Sequence, residues 1–256
     1  MAPITLAQKL FDLTGEVALV SGASSGLGRR FAQVLAAHGA KVVVAARRAD
    51  RLEGLAGESE RFFPLAVDVT DAPRLAAALD AAEAAAGPLT LLVNNAGIGG
   101  GGRIVDTPDE AWEQVQKTNV DSVWRLSRLF AQRLIARHSP GAIINIASLV
   151  AGRVGLSSAS YAVSKAAVLQ MTRAQAFEWA RHGIRVNAIS PGYVHSEMTS
   201  EFLASKAGQD MVGRSPQRRA GNASDLDGVL LLLASRRASG FMTGADIAVD
   251  GGHALA

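Results

Sequence analysis

The chain has 256 residues, 48% of them apolar and 19% charged, a formal net charge of +3 and no cysteine. This is the balance of a soluble globular fold large enough to bury a substantial core, and it argues against intrinsic disorder. Disulfides and thiolate metal sites are excluded, and the apolar stretches around 42–46 and 229–234 are far shorter than the about 20 residues that cross a bilayer.

The first fifteen residues, MAPITLAQKLFDLTG, have neither a charged n-region nor a long apolar h-region, so a cytoplasmic protein is expected. From there to Gly252 nothing reads as a linker, which predicts one domain over 1–256. β-Branched runs predict strands at 17–21, 41–46, 62–67, 89–94, 142–146, 185–190 and 246–249. Segments rich in Ala, Leu, Arg, Glu and Gln predict helices at 26–38, 72–86, 109–137, 157–182 and 223–235. Such alternation predicts an α/β fold, a doubly wound parallel sheet of seven strands with helices on both faces. Ligands of such sheets lie beyond the carboxyl ends of the strands, so the residues following each strand carry the functional reading. The arginines are scattered rather than clustered, which reads as solvated surface and predicts no nucleic-acid partner and no membrane partner.

After the first predicted strand comes Gly22-Ala23-Ser24-Ser25-Gly26-Leu27-Gly28, a GxxxGxG turn that opens a helix. Glycines there permit a sharp turn and a close approach of backbone to a pyrophosphate, with the helix N-terminus facing the anion. The second strand ends Ala46-Arg47-Arg48, with no carboxylate to receive the two ribose hydroxyls and with guanidinium groups suited to a 2′-phosphate. NADP(H) is therefore expected over NAD(H), with Asp50 near enough in sequence to compete for one arginine. Asp68-Val69 follows the third strand, and Asn94-Asn95-Ala96-Gly97 follows the fourth.

Tyr161 and Lys165 are four residues apart in a predicted helix, on one face about a turn apart. A tyrosine titrates near 10, and an ammonium about 5 Å away at an effective dielectric near 20 contributes about 3 kcal/mol, enough to lower it by roughly two units. Ser148 follows the fifth strand, with twelve residues between it and Tyr161, and Asn119 lies in Lys117-Thr118-Asn119-Val120. Further motifs are Pro191-Gly192-Tyr193-Val194-His195-Ser196-Glu197-Met198 and the terminal Ala248-Val249-Asp250-Gly251-Gly252. His195 has no second histidine or carboxylate at ligand spacing, and no metal is expected.

These motifs, in this order, resemble those of the short-chain dehydrogenase/reductases, with Ser21 and Ser196 where threonine is commoner in the family. The resemblance covers about 13–252 and implies a single-domain Rossmann fold. It implies reversible reduction of a ketone to a secondary alcohol: hydride passes from the nicotinamide, Tyr161 gives a proton to the carbonyl oxygen, and Ser148 stabilises that oxygen. It assigns Lys165 to the ribose and to Tyr161, and Asn119 to a water relay. It assigns the nucleotide to Gly22, Ser24, Ser25, Gly26, Leu27, Gly28, Arg47, Arg48, Asp68, Val69, Asn95, Ala96, Gly97, Tyr161, Lys165, Pro191, Gly192, Val194, Ser196 and Met198. A homotetramer built from the two long helices and the last strand is also implied.

Substrate choice falls to 149–156, 98–103 and a lid over about 193–215. There Val150, Leu156, Tyr193, Met198 and Phe202 suggest an apolar pocket for a neutral small-molecule ketone. Two alternatives stay open. One is a 3-oxoacyl thioester reductase, although Gln132 and Phe177 stand where the carrier-protein reductases present docking arginines; the other is a non-catalytic dinucleotide sensor.

Overall fold

The computed structural model describes residues 5–153, 155 and 157–255. The strands are β1 (Val17–Ser21), β2 (Lys41–Ala46), β3 (Phe62–Ala66), β4 (Leu91–Asn94), β5 (Gly141–Ile146), β6 (Ile184–Pro191) and β7 (Asp246–Val249). The helices are α1 (Leu6–Leu10), α2 (Gly26–Ala37), α3 (Ala49–Ala56), α4 (Ala72–Ala86), α5 (Asp109–Gln116) and α6 (Ser122–Ala136). They continue with α7 (Ala159–Trp179), α8 (Ser200–Ala204), α9 (Lys206–Arg214), α10 (Asp227–Ala234) and α11 (Arg236–Ser239). None of these is long and apolar enough to cross a membrane.

All seven strands pair in parallel in the order β3-β2-β1-β4-β5-β6-β7, a doubly wound Rossmann-like sheet. Every residue of β1, β4 and β6 is buried, as helices on both faces require, whereas the edge strand β7 has no fully buried position. Alternation along β1 divides the core: Val17 and Leu19 pack with Leu75, Leu79 and Phe130 from α4 and α6. Ala18 and Val20 pack on the other face with Phe31, Leu35 and Leu230 from α2 and α10. Pro64 pairs with Val44 in β3, a position open to proline because β3 is an edge.

The order of connection reverses between β1 and β4, so the loops after these strands diverge and open a crevice at their carboxyl ends.

Two expected helices differ in a way that matters for that crevice. The stretch expected as one helix over 109–137 is α5, a π-helical turn over Lys117–Asp121, and then α6. The wider turn places Asn119 in the interior, and such turns recur at functional sites. The stretch over 223–235 begins instead as a 3₁₀ turn (Ala223–Leu226), closed by a capping box between Asn222 and Asp225, before α10 starts.

Candidate active site

The turn after β1 is shaped by what cannot fit in it. Gly22 has φ of +69°, and a Cβ there would stand 2.9 Å from both Ala96 Cα and Asn95 Nδ2. Gly28 lies beneath the turn, buried against the Gly22 carbonyl with no room for a methyl group. Gly26 is the opposite case: within 4 Å its Cβ would meet only Ser196 Cβ, at 3.7 Å. The N-terminus of the twelve-residue α2 therefore faces open space flanked by Ser24 and Ser25, an arrangement that fits a phosphate. The Ser21 hydroxyl accepts hydrogen bonds from the backbone N–H of Asn95 and of Ala96, both at 3.0 Å. It thereby ties the turn after β1 to the turn after β4, and serine suffices because only the hydroxyl is used.

Beyond β2, Arg48 Nη2 donates to Ser24 Oγ and Ser25 Oγ, each at 3.0 Å. The carboxylate that meets Arg48 is Glu197, with its oxygen 3.8 Å away, and not Asp50 as the spacing suggested. Arg47 is exposed and its charge acts on Asp68. Burial pushes the Asp68 carboxyl up, but bonds from the Thr70 N–H and hydroxyl, both 2.8 Å, and the charges of Arg47 and Lys117 outweigh it and hold the group below the usual carboxylate range.

At the other end of the crevice, α7 brings Tyr161 and Lys165 beside the end of β5. Lys165 is 5% exposed, and its Nζ donates to the Ile146 carbonyl at 2.7 Å and lies 5.5 Å from the centre of the Tyr161 ring. Ser148, two residues beyond Ile146, caps a short 3₁₀ turn and lies close enough to lower the Tyr161 phenol; burial outweighs this and pushes the phenol up. Burial also lowers the Lys165 ammonium to about 8. The electrostatic expectation is thereby corrected: desolvation opposes both charged forms, and it exceeds the attraction that their spacing suggested.

Asn119 is fully buried, and both ends of its side chain are engaged. Oδ1 accepts from the Ile98 N–H at 2.9 Å, while Nδ2 donates to the Ile98 carbonyl at 2.9 Å and to Ser164 Oγ at 3.0 Å. Its side chain clamps the loop after β4 onto α7, next to Gly97, where a Cβ would lie 3.2 Å from Asn119 Oδ1 and 3.6 Å from Lys165 Nζ. Asn94 supports the floor, donating to Ser127 Oγ and to Asn145 Oδ1 at 2.9 and 2.8 Å.

Apart from Gly28, every residue assigned to the nucleotide lines a single cleft, which Ser148 also lines. The expected substrate residues do not gather in the same way. Met198 lines the cleft, but the Tyr193 ring stacks on Phe202 with centres 5.4 Å apart and meets the His253 ring edge-on at 5.2 Å. Val150 lies in the 3₁₀ turn after Ser148, and Leu156 falls outside the described residues. The segment expected as a lid holds the short helices α8 and α9. Gln114, Thr118, Glu197 and Thr199 also line the cleft and escaped the sequence reading. Only their neighbours in sequence pointed to them, since a polar residue on a helix or loop carries no spacing signal of its own.

A doubly wound sheet, a glycine turn at its switch point, and a serine, a tyrosine and a lysine facing the same cleft define the class: a dinucleotide-binding oxidoreductase. Comparison with known proteins places it within that class. The short-chain dehydrogenase family model described as enoyl-(acyl carrier protein) reductase matches residues 22–254, and the chain belongs to the short-chain dehydrogenase/reductase family. It is 40% identical to galactitol 2-dehydrogenase (L-tagatose-forming) of Cereibacter sphaeroides, over 96% of this chain and 98% of that protein. It is 37% identical to 2-dehydro-3-deoxy-D-gluconate 5-dehydrogenase of Escherichia coli K12, over 94% and 96%. The crystal structure of a gluconate 5-dehydrogenase from Burkholderia cenocepacia, in complex with NADP and tartrate, superposes with a TM-score of 0.93 at 33% identity, covering 98% of this chain and 99% of that one.

Proposed function

We propose that this chain is an NADP(H)-dependent dehydrogenase/reductase that interconverts a secondary alcohol and a ketone on a polyhydroxylated substrate, a polyol or a sugar acid. The observation that carries the reading is the convergence of Ser148, Tyr161 and Lys165 on the cleft whose far end is the open N-terminus of α2. Ser24, Ser25 and the α2 N-terminus would hold the pyrophosphate, Arg47 and Arg48 the 2′-phosphate, and Asp68 the adenine side. The nicotinamide so held supplies the hydride or accepts it.

The remaining work belongs to the protein. Tyr161 holds its proton at neutral pH, because burial favours the neutral phenol, and so it enters the reductive direction ready to give that proton to the carbonyl oxygen. Ser148 donates to the same oxygen as negative charge builds on it. Lys165, anchored on the Ile146 carbonyl, keeps a positive charge beside the phenol ring and within reach of a ribose hydroxyl. Asn119 contributes by position: its bonds to Ile98 and Ser164 hold the cleft wall against α7.

The substrate class draws on the relatives named above. A turnover panel tests it: galactitol, gluconate, their oxidised partners, simple aryl and cyclic ketones, and an acetoacetyl thioester, each with NADP(H) and NAD(H). Polyols or sugar acids are expected to turn over fastest, with kcat/KM at least about tenfold higher for the phosphorylated dinucleotide. Fastest turnover of the thioester would replace the substrate assignment, and equal use of both dinucleotides would remove the cofactor assignment.

A homotetramer is proposed on the same footing. Trp124 on α6, Phe177 on α7 and Phe241 beside the edge strand β7 are 51%, 89% and 105% exposed, and burial of such side chains between copies is favourable. Sedimentation of the whole chain at about four times the 26.6 kDa monomer mass is expected; a monomer would overturn the assembly.

A further inference from the structure

Glu197 lies in the loop after β6, yet its carboxylate reaches across the mouth of the cleft to the opposite wall. One oxygen is 2.8 Å from Arg51 Nη1 and the other 3.8 Å from Arg48 Nη1. Arg48 is the residue whose other guanidinium nitrogen is held by Ser24 and Ser25, at the turn that faces the nucleotide phosphates. The loop is close at this point, because Ser196 is the nearest atom group over Gly26. The Glu197 carboxylate is kept below its ordinary range by the hydrogen bond from Arg51 and the charges of Arg51 and Arg48, with a smaller contribution from Ser25. It is therefore a full negative charge at neutral pH.

A 2′-phosphate drawn to Arg48 meets this anion already in place. The two cannot share the guanidinium without like-charge repulsion, so the phosphate must displace the carboxylate or bind against it. We propose that Glu197 is a specificity-determining residue that competes with the 2′-phosphate for Arg48 and Arg51 and so moderates the preference for the phosphorylated dinucleotide. The claim rests on the reading of the cleft as an NADP(H) site. All three side chains are 41–60% exposed, and pairs of this kind are weak, so the effect is a tuning of selectivity and not a switch.

The experiment measures the affinities of adenosine 2′,5′-bisphosphate and adenosine 5′-phosphate for the wild-type chain, for Glu197→Gln, and for the double variant R47Q/R48Q. In E197Q the bisphosphate is expected to bind about fivefold tighter while the monophosphate changes by less than about twofold. A purely structural role for Glu197 would move both ligands together. An unchanged or reduced ratio of the two affinities in E197Q, with R47Q/R48Q abolishing the wild-type preference, overturns the inference alone. A wild-type chain that shows no preference for the bisphosphate overturns the cofactor reading beneath it, and a preference that R47Q/R48Q leaves intact takes Arg47 and Arg48 out of the 2′-phosphate site and overturns the inference with them.

Discussion

Replacing Tyr161 by phenylalanine should lower kcat by about three orders of magnitude in both directions, while nucleotide affinity stays within about twofold of wild type. The phenylalanine ring keeps the packing of the phenol and the face it turns to the Lys165 ammonium 5.5 Å away, so the fold and the lysine position persist. What is lost is the proton carrier. Among the residues lining the cleft, Ser148 is next to Tyr161 and carries a hydroxyl, but its ordinary acidity is far too weak to replace a phenol. A loss confined to kcat, with the dinucleotide dissociation constant retained, marks an interaction made in the transition state. Turnover that survives the substitution undiminished would take Tyr161 out of the chemistry and favour the sensor reading.

What was legible before the fold, and what was not, follows from the physics of each signal. The strand-to-helix alternation, the GxxxGxG turn and the four-residue spacing of Tyr161 and Lys165 are periodic features of the chain itself, and the structure has each at the expected place. Burial has no such signature. The spacing of Tyr161 and Lys165 indicated attraction between phenolate and ammonium, whereas the depth of the pair, with Lys165 at 5% exposure, makes desolvation the larger effect and moves both groups toward their neutral forms.

The π-helical turn at Asn119 was equally hidden, because one extra residue in a helical turn leaves composition unchanged and shows only when Ile98 is found bonded to both ends of the asparagine side chain. Contacts between residues distant in sequence were likewise out of reach. Glu197 meets Arg48 and Arg51 from the far end of the chain, while for Arg48 the nearer Asp50 was the partner that sequence distance suggested. Tyr193 and Phe202 were visible as candidates for an apolar wall, but nothing in the chain showed that their rings stack on one another or that the His253 ring meets Tyr193 edge-on.

Lys165→Met should separate stability from activity. The lysine is buried with its pKa lowered from 10.5 to about 8, so below pH 8 the fold carries a desolvated ammonium at a cost of about 3 kcal/mol. Methionine is close in length and removes that charge, but it leaves the Ile146 carbonyl without its donor, a loss of about 1–3 kcal/mol. At pH 7 the two effects nearly cancel, and the variant should be about as stable as wild type. Because the folded-state pKa is the lower one, the folded chain releases its proton before the unfolded chain does. Wild-type stability relative to the variant therefore rises as pH goes from about 8 to 10.5, by about 3 kcal/mol across that window. The raised Tyr161 pKa works in the opposite sense above its ordinary 10.0, but it is present in both proteins and drops out of the difference.

Activity behaves otherwise. Without the cation beside the phenol and the ribose, kcat/KM should fall about 10³-fold, and the wild-type reductive rate should decline above pH about 8 as Lys165 loses its charge. Denaturant unfolding of both proteins from pH 7 to 10.5, set beside the pH–rate profile, reads the two effects separately. A stability difference that stays constant across the window would mean that Lys165 is not a buried ammonium poised near neutrality, and the electrostatic account of the site would have to be rebuilt around a solvated lysine.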